Sequence, residues 1–333
     1  MKVAINGLGR IGRLVFRAAI EREEIDIVAL NSPSNIETIA HLINYDSVHG
    51  RASFHCSVNN NHLVVKGKEI PVFHQKDPSL IDWKDIDIVL ECSGKFNTKT
   101  AASAHLSSNV KKVIISAPCE NADKTIIIGV NHEELKSNDN IISIGSCTTN
   151  ALIPILKILH ENFTIENGYV STIHAYTGDQ NIVDNSHSDL RRARAASMSM
   201  IPTKTGAASA IALILPELKG KIDGSAIRVP TANVSLIDFS FSTQKSMNRD
   251  LINDAMYLAS LNHLKNILGI AEAQLVSVDF NHTNYSSIFD PFETKVVSPN
   301  FARILSWYDN EWGFVQRLLD CCNLYEKFIE TPV

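Results

Sequence analysis

The sequence predicts an α/β protein of two domains, a first one built on a parallel sheet and a second one of the α+β type with a mostly antiparallel sheet. Short apolar runs alternate with helix-periodic segments in the first part of the chain. From about residue 148 the strands become longer and alternate between apolar and polar residues, as in 234–240. The length of 333 residues suits two domains with cores large enough to need no disulfides.

The segments of the first domain follow one another in the order expected of βαβ units. Strands are predicted at 3–6, 25–30, 88–90 and 113–115, and helices at 10–22 and from residue 36 to about 43. Short apolar strands of this kind are typical of a parallel sheet that is buried on both faces and joined by right-handed crossovers. The last twenty residues also carry a helical apolar stripe.

Composition and charge argue against several classes of function. The net charge of −5 gives no electrostatic support to a protein that coats nucleic acid. The longest apolar stretch, 207–216, is too short to span a bilayer, and no signal peptide is recognisable, so we expect a cytoplasmic protein that does not act at a membrane. Six cysteines without a C-x-x-C pair or a short Cys/His spacing indicate a reducing compartment and no metal site.

A glycine-rich loop lies between the first predicted strand and the first predicted helix. Gly7, Gly9 and Gly12 have the G-x-G-x-x-G spacing, and the strand–loop–helix context is the one that a Rossmann-type dinucleotide-binding domain requires. Such a loop is normally followed, about twenty residues on, by an acid that binds the 2′-hydroxyl of the adenine ribose. This chain has Ser32 there instead, so either the loop does not bind a dinucleotide or the dinucleotide carries something other than a bare 2′-hydroxyl.

A cysteine and a histidine are the candidate reactive groups. Cys147 lies at the start of a helix-periodic segment, among serines and threonines, where free N–H groups and the helix dipole favour a thiolate nucleophile. His174 ends a strand-like run and precedes a turn, a common position for a general base, although a surface or loop histidine is the alternative.

Three segments are candidate binders of anions. The basic run 189–194 stands out in an acidic chain, with a solvated or subunit-contact face as the alternative interpretation. Residues 202–206 place hydroxyls and a glycine at a predicted helix start, which suits phosphate. Arg228 lies in an apolar strand, where a charge must be paired or must bind an anion, and the sequence leaves these two possibilities equal.

Seven motifs, taken together, closely resemble one family over essentially the whole chain. They are INGLGRIGR, SCTTN, HAYTGDQ, DLRRARAA, TGAA, RVPTANVS and SWYDNEWGF. In this order and spacing they resemble the phosphorylating glyceraldehyde-3-phosphate dehydrogenases, in particular NADP-capable bacterial members. The resemblance implies a dinucleotide-binding domain over 1–147, completed by a C-terminal helix at 312–333, and a catalytic domain over 148–311. It also implies a homotetramer that oxidises glyceraldehyde 3-phosphate with inorganic phosphate as co-substrate.

The resemblance also implies roles for individual residues. Cys147 would be the nucleophile and His174 the base. The substrate's phosphate would be held by Thr177 and Arg228, with Asp179 orienting that site. Around the inorganic phosphate would lie Ser146, Thr148, Arg192, Thr205 and Gly206. The residues implied for the cofactor are Gly7, Gly9, Arg10, Ile11, Gly12, Ser32, Lys76, Ser93, Ser116 and Asn310.

Departures from the family pattern concern the choice of cofactor and of substrate. Ser32 replaces the ribose-binding aspartate, Lys76 replaces an arginine on the adenine side, and Asn185-Ser186 replaces a Leu-Pro pair. We therefore expect NADP to be modestly favoured and NAD to be accepted. Erythrose-4-phosphate dehydrogenase, a sister family that hydrolyses its thioester, is the alternative activity. A non-enzymatic binding protein of the same fold would have lost Cys147 or His174, and neither is lost.

Overall fold

The computed structural model describes residues 1–108 and 110–329 and confirms the predicted fold class. The chain divides into two compact units, of which the first combines Met1–Gly145 with Val315–Val333 and the second is Ser146–Phe314. The last predicted helix forms α7, Trp312–Ile329, and the remainder of the segment predicted to be helical, 330–333, lies outside the described residues.

A nine-stranded sheet forms the centre of the first unit. Its strands are β1 (Lys2–Asn6), β2 (Asp26–Asn31), β5 (Cys56–Asn59), β6 (His62–Val65), β7 (Lys68–Phe73), β8 (Ile88–Glu91), β9 (Lys112–Ile115), β10 (Lys124–Thr125) and β11 (Ile141–Ser143). They are arranged in the order β10-β11-β9-β8-β1-β2-β7-β6-β5, and all pairs from β10 to β7 are parallel. The strands β3 (Tyr45–Asp46) and β4 (Gly50–Arg51) form a separate pair.

The helices of this unit connect strands in the way that the apolar spacing predicts. They are α1 (Arg10–Arg22), α2 (Ile36–Asn44) and the short α3 (Lys99–Ala102). Leu14, Val15 and Ala18 form the buried stripe of α1, and Asn35 caps α2 by accepting a hydrogen bond from the N–H of Thr38. The parallel strands bring the carboxyl ends of β1, β2, β8 and β9 to one edge of the sheet, where ligands of such folds bind.

The second unit is a seven-stranded mixed sheet with helices. Its strands are β12 (Ile165–Ala175), β13 (Ile201–Lys204), β14 (Ile222–Val229), β15 (Ser235–Thr243), β16 (Leu268–Ile270), β17 (Ser287–Ser298) and β18 (Phe301–Tyr308), in the order β13-β14-β12-β15-β18-β17-β16. The β12–β14 and β16–β17 pairs are parallel and the other four are antiparallel, as predicted. Its helices are α4 (Cys147–Phe163), α5 (Ala207–Ile214) and α6 (Arg249–Leu261).

Candidate functional site

The glycine loop of the first unit is closed by backbone contacts that leave no room for side chains at two of its positions. Gly7 has φ +94°, and a Cβ built on it would lie 2.5 Å from the Cα and the N of Ser93. A Cβ on Gly12 would lie 1.9 Å from the carbonyl oxygen of Gly7. Gly9 is different because a Cβ there would meet nothing within 4 Å. The loop is therefore interlocked on its inner side and open at Gly9.

The helix that follows the loop presents a bare N-terminus. Gly9 is the N-cap of α1 and offers no side-chain capping bond, and the first turn contains no acidic residue. The N–H groups of the first turn point out of the helix end, and the helix dipole favours negative charge there. Arg10 pairs with Asp46 through two hydrogen bonds. This arrangement fits the pyrophosphate of a dinucleotide.

A buried carboxylate that the sequence analysis did not identify connects the loops beside this helix. Glu91, at the end of β8, accepts hydrogen bonds from both the backbone N–H and the hydroxyl of Ser93, the former at 2.7 Å. It also accepts from Asn6 at 2.5 Å and lies 3.0 Å from Nε2 of His105. The sequence pattern that could have identified Glu91 is an acidic residue directly after the apolar run 88–90. Ser116 also belongs to this cluster, because its hydroxyl and N–H both donate to the Glu91 carbonyl at 3.0 Å.

The position where an acid was expected is occupied by a buried serine. Ser32 is 3% exposed, and its hydroxyl oxygen accepts a 3.3 Å hydrogen bond from the N–H of Ser34, so the hydroxyl hydrogen remains available as a donor. The backbone N–H of Ser32 donates to the Phe73 carbonyl at 2.9 Å. Lys76 follows the same edge of the sheet and is exposed.

In the second unit, the candidate nucleophile lies at the first residue of a capped helix. Ser146 is the N-cap of α4, and its hydroxyl accepts a 3.1 Å hydrogen bond from the N–H of Thr149. Cys147 follows and is half-buried. Thr148 is buried and lies 3.0 Å, between hydroxyl oxygens, from Tyr308 on β18. The sequence reasoning correctly placed Cys147 at a helix start.

The candidate base lies directly against this cysteine. Nε2 of His174 is 3.5 Å from Sγ of Cys147, and the imidazole is 3% exposed with its edge towards the ring of Tyr308. Burial and then the positive charge of Arg228 lower the pKa of His174 to about 3. Burial also raises the pKa of the Cys147 thiol, against the opposing effects of Arg228 and of hydrogen bonds at the helix start. Burial therefore opposes the thiolate that the start of the helix favours.

Arg228 is the neighbour of His174 across the sheet. The two residues are paired in the register of β12 and β14. One terminal nitrogen of Arg228 lies 2.7 Å from Nδ1 of His174 and donates to the Ala175 carbonyl at 2.9 Å. Nε of Arg228 is buried and has no hydrogen-bond partner among the described residues. Of the two interpretations of Arg228, the absence of any carboxylate bonded to its guanidinium in the described structure favours the anion-binding one.

A second cluster gathers the predicted residues of the segment 177–206. Arg192 forms an ion pair with Asp179 and donates from Nε to the Thr203 hydroxyl at 2.9 Å. Thr177 donates its N–H to Gln180 at 3.0 Å. Asp179 and Arg192 both act electrostatically on Arg228, so this cluster is near the Cys147–His174 pair.

The start of α5 adds another bare helix terminus to the second unit. Gly206 is the N-cap of α5 and makes no side-chain capping bond, and the first turn has no acid. The hydroxyl of Thr205 accepts from the N–H of Ala207 at 3.3 Å. The first N–H groups of this helix are thus oriented as a phosphate site requires.

Asn310 is linked through the hydroxyl of Ser235 to the backbone of Ala175, the residue that follows the candidate base. Its Oδ1 accepts a 2.7 Å hydrogen bond from the hydroxyl of Ser235, and that hydroxyl oxygen accepts the N–H of Ala175 at 3.0 Å. Asn310 is buried. Sequence reasoning did not single out Ser235, whose only signal was its place in the RVPTANVS motif.

Among the described residues, no group of three or more His, Cys, Asp or Glu side chains could hold a metal ion. A search of the same residues for a helix long and apolar enough to cross a membrane found none.

Comparisons with known proteins agree on one family. The family model described as glyceraldehyde 3-phosphate dehydrogenase, NAD binding domain, matches residues 1–99, and the model for the C-terminal domain of the same family matches residues 146–310. Glyceraldehyde-3-phosphate dehydrogenase 1 of Bacillus cereus is 49% identical over 322 residues, which cover 96% of either chain. The glyceraldehyde-3-phosphate dehydrogenase of Cereibacter sphaeroides is 48% identical over 322 residues, 96% of this chain and 97% of the relative. That of Geobacillus stearothermophilus is 49% identical over 323 residues, 96% of either chain.

Proposed function

This chain belongs to the glyceraldehyde-3-phosphate dehydrogenase family, and we propose that it oxidises glyceraldehyde 3-phosphate reversibly to 1,3-bisphosphoglycerate with a nicotinamide dinucleotide and inorganic phosphate. The observation that carries this proposal is the 3.5 Å contact between Sγ of Cys147 and Nε2 of His174, with the guanidinium of Arg228 beside them. A nucleophile, a base and an anion binder are the groups that this reaction requires.

The proposed chemistry begins with Cys147. Its thiol proton passes to Nε2 of His174 as the sulfur attacks the aldehyde carbon, and the carbonyl oxygen takes that proton to become the hydroxyl of a thiohemiacetal. When bound, the nicotinamide dinucleotide supplies the acceptor for a hydride. Nε2 of His174 takes the hydroxyl proton, and Cys147 is left carrying a thioester. Inorganic phosphate then attacks the thioester, the Cys147 thiolate leaves, and the acyl phosphate is released.

Two anion sites are part of the proposal because one substrate carries a phosphate and the other is one. Arg228 and Thr177 hold the phosphate of the aldehyde, with Asp179 orienting that site, and the buried, unpartnered Nε of Arg228 supports this role. The inorganic phosphate binds among Ser146, Thr148, Arg192, Thr205 and Gly206. Its support is the bare N-terminus of α5.

The cofactor site is proposed on the domain of residues 1–147 completed by the C-terminal helix, with 148–311 as the catalytic domain. The pyrophosphate is placed at Gly9, Arg10 and Ile11, because a Cβ on Gly9 would meet nothing within 4 Å and the N-terminus of α1 carries no side-chain cap and no acidic residue. The other residues of this proposed site are Gly7, Gly12, Ser32, Lys76, Ser93, Ser116 and Asn310, the last binding the carboxamide.

A modest preference for NADP over NAD is the finer part of the proposal. Ser32 carries no charge that would repel a 2′-phosphate, and its hydroxyl hydrogen can donate to one. Residues 28–35 contain no arginine or lysine, so a strong preference is not expected. NAD therefore remains a usable cofactor.

A cytoplasmic homotetramer is proposed for the assembly. The segment 177–206 exposes large apolar side chains, of which Leu190, Met198 and Met200 are 84%, 80% and 75% exposed in the single chain. Exposed apolar residues in one segment mark a surface that is buried against another protein, and a second copy of this chain is the partner proposed here. Size-exclusion chromatography with light scattering tests the oligomeric state.

One assay of the purified protein tests the activity. It compares glyceraldehyde 3-phosphate with erythrose 4-phosphate, NAD with NADP, and reactions with and without inorganic phosphate. We expect rapid turnover of glyceraldehyde 3-phosphate that depends on phosphate, with both cofactors. Faster turnover of erythrose 4-phosphate without phosphate would contradict the proposal and support the alternative activity, which the names of the relatives do not favour.

A further inference from the structure

The carboxyl edge of the parallel sheet carries a row of three polar side chains on adjacent strands. Asn6 ends β1 and is paired in register with Asn31 at the end of β2 and with Glu91 at the end of β8. The amide nitrogen of Asn31 donates to Oδ1 of Asn6 at 2.7 Å, and the amide nitrogen of Asn6 donates to Glu91 at 2.5 Å. Each of the three residues is 3% exposed or less. One continuous line of buried hydrogen bonds therefore crosses three strands.

The direction of this line is fixed at its Asn31 end by backbone groups. Oδ1 of Asn31 accepts the N–H of Gln75 at 2.9 Å, and the amide nitrogen of Asn31 donates to the Gln75 carbonyl at 2.9 Å. A backbone N–H only donates and a carbonyl only accepts, so the amide of Asn31 cannot be reversed. It must therefore donate to Asn6, and Asn6 in turn must donate to Glu91.

A second line of donors reaches Glu91 from another part of the chain. The indole nitrogen of Trp83 lies 3.2 Å from Nδ1 of His105. Because the indole N–H can only donate, this ring nitrogen of His105 must accept, and the hydrogen of the imidazole is on Nε2. Nε2 lies 3.0 Å from Glu91. Both lines thus end in a donor that points at the same carboxyl group.

The carboxyl group of Glu91 accepts every hydrogen bond that it makes in the described structure. Oε2 accepts from Asn6 and His105, and Oε1 accepts from the N–H of Ser93 at 2.7 Å and from its hydroxyl at 2.5 Å. A carboxylate has an acceptor for each of these donors, whereas an amide of the same size would turn an N–H towards at least one of them. A buried charge is costly unless it is hydrogen-bonded, and this one is bonded on both oxygens.

The row lies directly before two loops of the proposed cofactor site and is bonded to a third. Gly7 comes directly after Asn6, and Ser32 comes directly after Asn31. Ser93, in the loop after β8, bonds Glu91 itself. A Cβ on Gly7 would lie 2.5 Å from the backbone of Ser93, so the glycine loop and the loop after β8 are in close contact.

We propose that Glu91 is a positioning residue for the dinucleotide. Its two oxygens hold the glycine loop, through Asn6, and the loop after β8, through Ser93, at one spacing. The row carries the same constraint across β1 to the loop of Ser32. Glu91 acts through these neighbours rather than by contact with the cofactor. This inference rests on the proposed function and deepens it, and it places the effect of Glu91 on affinity for the dinucleotide and not on affinity for the aldehyde.

Glu91→Gln is the test variant, because it keeps the size of the side chain and removes one acceptor. Isothermal titration calorimetry measures the Kd of the purified full chain for NAD and for NADP. We expect both values to rise about tenfold, the order of magnitude that one buried donor left without an acceptor can produce. The KM for glyceraldehyde 3-phosphate should stay unchanged. Denaturant titration establishes that the variant is folded under the conditions of the binding experiment.

A double variant tests the direction of the row. In Glu91→Gln/Asn6→Asp the carboxylate moves one place along, where it accepts from Asn31 on one side and from the new amide at position 91 on the other. We expect the double variant to recover part of the lost affinity for the dinucleotide. Recovery is partial because Nε2–H of His105 still faces an amide. Asn6→Asp alone sets two carboxylates against each other and should bind the dinucleotide more weakly than the double variant does.

Asp123→Asn is the matched control. Asp123 is another hydrogen-bonded carboxylate of the first unit, and it accepts the N–H groups of Asn140 and Ile141 at 2.9 and 2.8 Å. Ile141 begins β11, so this carboxylate lies at the amino edge of the sheet, opposite to the row. The control should lower the free energy of unfolding and leave the Kd for the dinucleotide at the wild-type value.

Two results would overturn the proposal. One is a folded Glu91→Gln variant that binds both dinucleotides as tightly as wild type, and the other is a double variant that recovers no affinity. If Glu91→Gln does not fold, the comparison of the double variant with Asn6→Asp decides in the same way. Wild type that binds no dinucleotide would refute the proposed function as well, so a failure of this inference alone is recognisable by normal binding to wild type.

Discussion

The glycine loop of the first unit, Gly7 to Gly12, and the reactive centre of the second, Cys147, His174 and Arg228, are built in opposite ways. The loop is called the cofactor cradle below. The cradle is made of backbone, because Gly7, Gly9 and Gly12 lie within one segment of six residues and function through the side chains they lack. The reactive centre is made of side chains from distant positions, with His174 and Arg228 separated by 54 residues and adjacent only because β12 and β14 pair.

This difference determines how each region tolerates change. At Gly7 and Gly12, adding a single methyl group produces an overlap with backbone, which cannot be relieved by a rotamer change. In the reactive centre, removal of one functional group leaves the backbone in place and alters the chemistry. We therefore expect mutations in the centre to affect the rate with little loss of stability, and mutations at Gly7 and Gly12 to affect stability and cofactor binding together.

The largest effect is expected for Cys147→Ser. A serine hydroxyl is a far weaker nucleophile at neutral pH than a thiol, so phosphorylating activity should be lost while the folded protein remains. Steady-state turnover and thermal unfolding measure the two consequences. Cys119→Ser, at the other half-buried cysteine, is the control and should stay active. Near-native turnover of Cys147→Ser would sink the assignment of the nucleophile.

His174→Asn should have the next largest effect. Loss of a general base usually slows the proton-dependent step by roughly a hundred- to ten-thousand-fold, so hydride transfer should slow by that factor. A rapid-mixing experiment that follows formation of the reduced cofactor in the first turnover isolates this step. If the first turnover of the variant is as fast as that of wild type, His174 is not the base.

Two glycine variants separate the effect of the cradle on stability from its effect on cofactor binding. Gly12→Ala should lower the free energy of unfolding by about 1–3 kcal/mol, because its Cβ would overlap the Gly7 carbonyl. Gly9→Ala should keep wild-type stability and still weaken binding of the dinucleotide, because its methyl group occupies the open side of the loop. Denaturant titration and cofactor fluorescence separate the two effects. Equal stability losses in both variants would show that the close contact between Gly12 and the Gly7 carbonyl does not limit side chains at this position.

The smallest change concerns cofactor choice. Ser32→Asp should reduce kcat/KM for NADP at least about tenfold, the scale of 1.4 kcal/mol of repulsion between the carboxylate and a 2′-phosphate. The value for NAD should stay equal or rise, since the carboxylate can accept a hydrogen bond from the 2′-hydroxyl. A wild-type enzyme as strictly dependent on NAD as the variant would show that residue 32 does not decide the preference.

The same contrast explains what could be predicted from the sequence. The glycine loop and the cysteine at a helix start depend on neighbouring residues, and both were located correctly. The contact between His174 and Arg228 depends on strand register over 54 residues, which periodicity does not contain. The effect of burial on the pKa of Cys147 could not be predicted, because a local pattern does not report how deeply a group is buried. Glu91 was missed because two of its partners, Asn6 and His105, come from other segments of the chain.

The first unit is built from two segments that are far apart in the sequence, and this affects how it folds during synthesis. Arg22 on α1 bonds Asp320 on α7 at 2.7 Å, and Tyr325 donates to the Asp139 carbonyl at 2.8 Å. On the ribosome, the residues between Gly145 and Val315 are made before these partners exist, a delay of roughly ten to thirty seconds at typical elongation rates. The nascent first unit must therefore leave the apolar site of α7 uncovered until the residues from Val315 onward have been made. Chaperones that hold exposed apolar surface would act on it during that interval.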